Sequence, residues 1–143
     1  MSATATVSDP NRKHLEAART LIAKGDLKQA ALTLNKAQKQ LPNDPRVFML
    51  AGLMAEKSGN INGAFEALRR SVAMAPDWGP GLLELALLLA RQNQFKEAVE
   101  TAEKVAALEP RNLQVLAGVV DIAHRAGHTE MAVQHLRRGL ELV

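Results

Sequence analysis

Apolar positions along this chain fall into pairs of helical stripes, and the pair returns every 34 residues. In the second copy, Phe48, Ala51, Gly52 and Ala55 recur at the three- and four-residue spacing of one helix face. After Gly59 a second stripe follows with Ala64, Leu68 and Val72. Ala30, Ala64, Ala98 and Ala132 keep the same 34-residue interval, as do Gly25, Gly59 and Gly127, with Asn93 where the remaining glycine would stand. Pro42, Pro76 and Pro110 close the first three copies. A period of this length points to stacked helix-turn-helix units, each too thin to bury its own apolar face. The units run 11–44, 45–78, 79–112 and 113–143, the last stopping three residues short. Residues 1–10, small and polar, are expected to form a flexible segment before this domain at 11–143.

Local signals agree with that division. Asp44 before Pro45 is a good helix start, because Asp can cap free amides and Pro costs nothing in a first turn. Asp26 with Gln29 resembles a capping box. The repeated glycines fit helix ends that need a left-handed backbone. Ala17 and Ala18, Ala51 and Gly52, and the four repeated B-helix alanines are read as close-approach points. A leucine there would force helices apart, and overpacking typically costs about 1–3 kcal/mol.

These residues resemble the tetratricopeptide repeat (TPR) family: the Ala51–Gly52 pair, Gly59, Ala64 and Pro76, with their counterparts in the other units. The resemblance covers all but the first ten residues. Two departures stand out. The large aromatic early in helix A survives only as Phe48, with His14, Leu82 and Leu116 in its place. Gly139 stands where the other units have Ala37, Ser71 and Val105, which points to a weaker last helix. The resemblance implies an all-α fold, a right-handed α-solenoid or superhelix of four antiparallel helix pairs. It further implies a non-catalytic protein–protein interaction scaffold that binds a peptide or protein segment in a concave groove lined by helix A.

Helical geometry maps that groove one step off the packed stripe. The expected lining is Leu15, Arg19 and Ile22 in the first unit, and Met49, Leu53 and Glu56 in the second. The third offers Leu83, Leu87 and Ala90 with Arg91 beside them, and the fourth Ala117, Asp121 and His124. Met49, Leu53, Leu83 and Leu87 would make an apolar floor suited to an amphipathic segment. TPR domains that grip acidic chaperone C-termini use Lys, Asn and Arg at places held here by Leu15, Arg19, Leu50, Pro80 and Glu84. That ligand class is therefore not expected.

Composition narrows the chemistry. The formal charge is +3, and residues 11–44 alone carry seven Lys/Arg against three acids. That excess hints weakly at an anionic partner. Specific nucleic-acid reading is not expected, because one Trp and no Tyr leave little to stack on, and Arg19, Leu53, Leu87 and Asp121 share no polar type. Without cysteine there are no disulfides or thiolate metal sites. His124 and His128 have a metal-friendly spacing near Asp121, but Gly127 between them should turn His128 off the helix face. His14 is read as a packed residue, and His135 has no acid near it in sequence. No nucleophile elbow, phosphate loop or carboxylate pair appears, so neither enzyme activity, cofactor nor metal is expected. No signal peptide is read at the start, and the run Leu85 to Ala90 is too short for a bilayer, so a cytoplasmic protein without membrane contact is expected.

The last unit raises a separate question. Val119, Val133, Leu136 and Leu140 should be partly uncovered there, an apolar patch that monomers seldom tolerate. Two readings follow: a homodimer joined at that end, or a longer protein continuing past Val143. In the second, the chain would be the N-terminal adaptor or oligomerisation module of a larger enzyme, such as a transferase.

Overall fold

A computed structural model describes residues 9–143. Most of the expected flexible segment, residues 1–8, lies outside the described residues. Eight helices follow in order: α1 (Arg12–Lys24), α2 (Leu27–Gln40), α3 (Pro45–Lys57), α4 (Ile61–Met74), α5 (Gly79–Arg91), α6 (Phe95–Leu108), α7 (Leu113–Arg125) and α8 (Thr129–Glu141). There is no strand among the described residues. The A helices α3, α5 and α7 begin 34 residues apart, and so do the B helices α4, α6 and α8.

The helices group into two compact units, one ending at Met74 and one running from Ala75 to Val143. In the first, α1 packs on α2 and α3 on α4, and α3 lies against both α1 and α2. In the second, α5 packs on α6 and α7 on α8, and α7 also lies against α5 and α6. Each unit is thus two antiparallel hairpins, the later hairpin covering the earlier one.

The turn chemistry explains the sharp reversals. Gly25, Gly59 and Gly127 have φ of +83°, +85° and +77°, the left-handed region that glycine enters without a Cβ clash. Asn93, at the place where the glycine is missing, adopts φ +61°, which Asn tolerates better than most side chains. Asp44 Oδ1 accepts from the Arg46 amide at 3.0 Å, and Asp26 Oδ1 from the Gln29 amide at 3.3 Å, but the Asp26 amide itself bonds to the Leu21 carbonyl, so only the Asp half of the expected capping box forms.

Close approach is tightest where the sequence is smallest. A Cβ on Gly52 would stand 2.7 Å from Leu68 Cγ and 3.3 Å from the Ala64 carbonyl oxygen, so α3 and α4 meet there only because glycine has none. Ala30, Ala64 and Ala98 are fully buried. Ser71, also buried, donates its hydroxyl to the Pro45 carbonyl at 2.8 Å, which satisfies the one polar atom that position adds to the core.

The start of the first unit is tied down by charge. Asn11 is fully buried, and its Nδ2 donates to Asp44 Oδ2 at 2.9 Å. Arg46 bridges two carboxylates, donating from Nη2 to Asp9 Oδ1 and to Asp44 Oδ2, each at 2.8 Å. The Arg46 hydrogen bond holds the Asp9 carboxyl below its ordinary value. Burial pushes Asp44 up, but its hydrogen bonds with Arg46 and Asn11 outweigh that and leave it lowered. Arg46, held by Asp9 and then Asp44, is raised. Asp9 is thus joined to α3 by an ion pair that could not be read from a single acid outside the repeats.

Candidate functional site

Helix α5 is apolar almost all round: of its 13 residues only Glu84 and Arg91 are charged. Such a helix is buried on most sides, and eight of its residues are. The rest (Pro80, Leu83, Glu84, Leu87 and Arg91) follow the three- and four-residue spacing of a single stripe. Leu83 and Leu87 are half-buried, so two leucines sit where a solvated helix would carry polar groups. Leu83 is partly held by α7: a Cβ on Gly118 would lie 2.9 Å from its Cδ1. Leu87 lies one turn further along the helix.

Other expected lining residues divide by burial. Arg19 on α1 is exposed, and Leu53 and Glu56 on α3 are half-buried. On α7, Ala117, Asp121 and His124 are exposed, and Asp121 accepts from Arg125 Nε at 3.2 Å in a one-turn pair. Leu15 and Met49, expected in the groove, are core residues instead, 7% and 3% exposed. Ile22 and Ala90 are buried with them. The single-stripe rule was too narrow for these helices. Each A helix packs on its own B helix and on a neighbouring A helix, which widens the buried arc past one stripe.

The last hairpin needs a similar correction. Val119, expected to be partly uncovered, is fully buried, because α7 has α5, α6 and α8 against it. Val133, Leu136 and Leu140 are exposed, as are Leu113 and Val143, which the stripe did not single out. An apolar cleft of about 320 Å³ opens between α7 and α8, lined by Leu116, Ala117, Val120, Leu136, Gly139 and Leu140, among others. Beside it His135, the one buried residue of α8, has Nε2 2.8 Å from Glu103 Oε1 on α6. No sequence signal links two residues 32 apart in this way, since the pairing depends on how α8 settles beside α6.

His124 lies in the last turn of α7, whereas His128 is the residue before α8, carried off by the Gly127 turn. His14 is half-buried. Among the described residues no group of three or more His, Asp or Glu side chains could hold a metal ion. Among them, too, no helix is long and apolar enough to cross a membrane.

Comparison with known proteins fits this architecture. The tetratricopeptide repeat family matches residues 15–77 and 83–142, most of the chain. The chain belongs to the tetratricopeptide repeat family. Tetratricopeptide repeat protein 7A of Homo sapiens is 26% identical over 115 residues, which is 80% of this chain but 13% of that protein. The solved structure of PilF from Pseudomonas aeruginosa matches with a TM-score of 0.81 at 16% identity, over 92% of this chain and 60% of that one. MamA from Desulfovibrio magneticus RS-1 matches with a TM-score of 0.71 at 21% identity, over 92% and 75%. At such identities the likeness shows the fold alone, the all-α solenoid class of TPR proteins. TPR repeats imply a protein–protein interaction scaffold, and the family is generally non-catalytic.

Proposed function

We propose that the chain captures a peptide or protein segment on the exposed stripes of its A helices. The observation that carries this reading is the α5 stripe, where half-buried Leu83 and Leu87 lie beside Glu84 and Arg91. A partner covering one such leucine gains about 1.5–3 kcal/mol from its apolar surface at full burial, and less here because each is already half covered. Flanking charges would fix the direction of the segment rather than add much affinity. In the first unit, Leu53 and Glu56 on α3 with Arg19 on α1 offer a smaller stripe of the same kind. An amphipathic segment suits both, apolar toward the leucines and charged at its edges. Leu15 and Met49 take no part, being buried.

The test compares capture from a displayed peptide library by the native chain, Leu53→Glu and Leu87→Glu, with helicity followed by circular dichroism. Both positions are partly open, so the substitutions should leave the fold intact while Leu87→Glu abolishes capture. Peptides that bind both variants as well as the native chain would remove these stripes from consideration.

A further inference from the structure

We propose that the outward face of α2 docks an acidic amphipathic segment of a partner protein, its carboxylates on three lysines and an apolar side chain over Leu32. The core side of α2 is Ala30, Leu34 and Ala37, all buried. At about 100° per residue, Lys28, Leu32, Lys36 and Lys39 fall on the opposite side, and all four are exposed. Leu32 is 49% exposed, and among the described residues no other large apolar side chain before Ala75 is open to that degree. This face belongs to a B helix, apart from the A-helix stripes assigned to peptide capture.

The other repeats show what this place carries elsewhere. The 34-residue interval takes Leu32 to Glu66, Glu100 and Gln134, all polar and all exposed. On α6 the stripe reads Lys96, Glu100, Lys104, an acid one turn from a base on either side, the spacing at which opposite charges support a helix. On α2 it reads Lys28, Leu32, Lys36: the bases remain and the acid is gone. No neighbour replaces it. The 14 residues of α2 include no Asp or Glu, and Asp26 before them accepts from the Gln29 amide. None of the three lysines has an ion-pair partner among the described residues. A lone exposed leucine is ordinary; one set between unpaired bases, where sister helices put an acid, marks a register for a partner. Charge complementarity selects that partner. Lys28 to Lys39 spans roughly 17 Å of helix, about three turns of a second helix laid alongside. Carboxylates on that helix would fix its register, and its apolar side chain would cover Leu32. An anionic lipid surface calls for a broader apolar face than one leucine, and the adjoining Gln29 and Asn35 are polar. Residues 1–8 contain no acid, so the chain's own start does not supply the carboxylates. A second copy would bring Glu100 together with Lys96 and Lys104, like charge toward like.

The probe is a labelled synthetic helix of about 18 residues, ~27 Å long, with a leucine stripe flanked by glutamates. Its fluorescence anisotropy is followed as the 143-residue chain is added. Saturable binding is expected, weakened about tenfold by Leu32→Glu and roughly fivefold by Lys36→Glu. Leu32→Glu restores the residue that α4 and α6 carry, so its helicity should stay native. The same helix with lysine for each glutamate should not bind. Leu87→Glu should leave binding of the acidic helix unchanged, which separates failure here from failure of the A-helix reading. A probe that does not bind overturns the proposal, as does binding that survives Leu32→Glu, is lost with Leu87→Glu, or is matched by the lysine helix. Tighter uptake by vesicles of phosphatidylcholine and phosphatidylserine, with the same dependence on Leu32, would mean a lipid surface and overturns it too. So would self-association of the chain that Leu32→Glu abolishes, which would mean a second copy.

Discussion

Replacing Gly52 by alanine sets two known effects against each other at a defined distance. In a helix interior, Gly→Ala alone stabilises by roughly 0.5–1 kcal/mol, since the unfolded chain loses freedom. At Gly52 the new methyl would stand 2.7 Å from Leu68 Cγ and 3.3 Å from the Ala64 carbonyl oxygen. Leu68 Cγ is a branch point on a side chain only 1% exposed, so it cannot swing clear as a chain end could. The α4 backbone behind it would have to shift, and overpacking of that kind costs about 1–3 kcal/mol. The expected net effect is a loss of about 1 kcal/mol, or a few degrees in Tm for a chain of this size. Thermal and urea unfolding followed by circular dichroism would measure it. The double variant supplies the control: Leu68→Ala is costly by itself, about 2–5 kcal/mol, but adding Gly52→Ala to it should then cost nothing further. A Gly52→Ala chain more stable than the native one would refute the close-approach argument.

Gly139→Ala should behave in the opposite way. Its Cβ would meet nothing nearer than 3.9 Å, so the helix gain of roughly 0.5–1 kcal/mol is kept. Slower amide exchange along α8 in dilute solution is the expected readout. At low pH, the Asp9–Arg46–Asp44 network should be lost as its two carboxyls protonate. Both carboxyls are lowered from an ordinary value of 3.8. Their contribution is therefore complete above that value and is lost as pH falls through the depressed ones. Acid unfolding of Asp44→Asn compared with the native chain should show a shallower loss of stability below pH 3.8, and identical slopes would count against the network.

Periodicity and turn chemistry made the helix pairs legible in the sequence, because both act through neighbours a few residues apart. The 34-residue interval, the Asp26 and Asp44 caps and the three glycine turns all follow from local rules. Even Asn93 could be aligned with the glycines before its backbone was known. The candidate surface was less legible. One helix stripe, judged alone, shows which side is apolar but not how many neighbours will share it. That is why Arg19, Leu53 and Leu87 stayed accessible while Leu15 and Met49 went into the core.

The sequence by itself determined the helical hairpins and their repeat, since 3.6-residue periodicity, small residues and left-handed turns are properties of short segments. Only the tertiary structure decided the width of each buried arc. It alone enclosed Val119 among three helices, set His135 beside Glu103, and joined Asp9 to Arg46. Those outcomes depend on contacts between residues far apart in the chain, and no local pattern encodes the rotation of one helix against another.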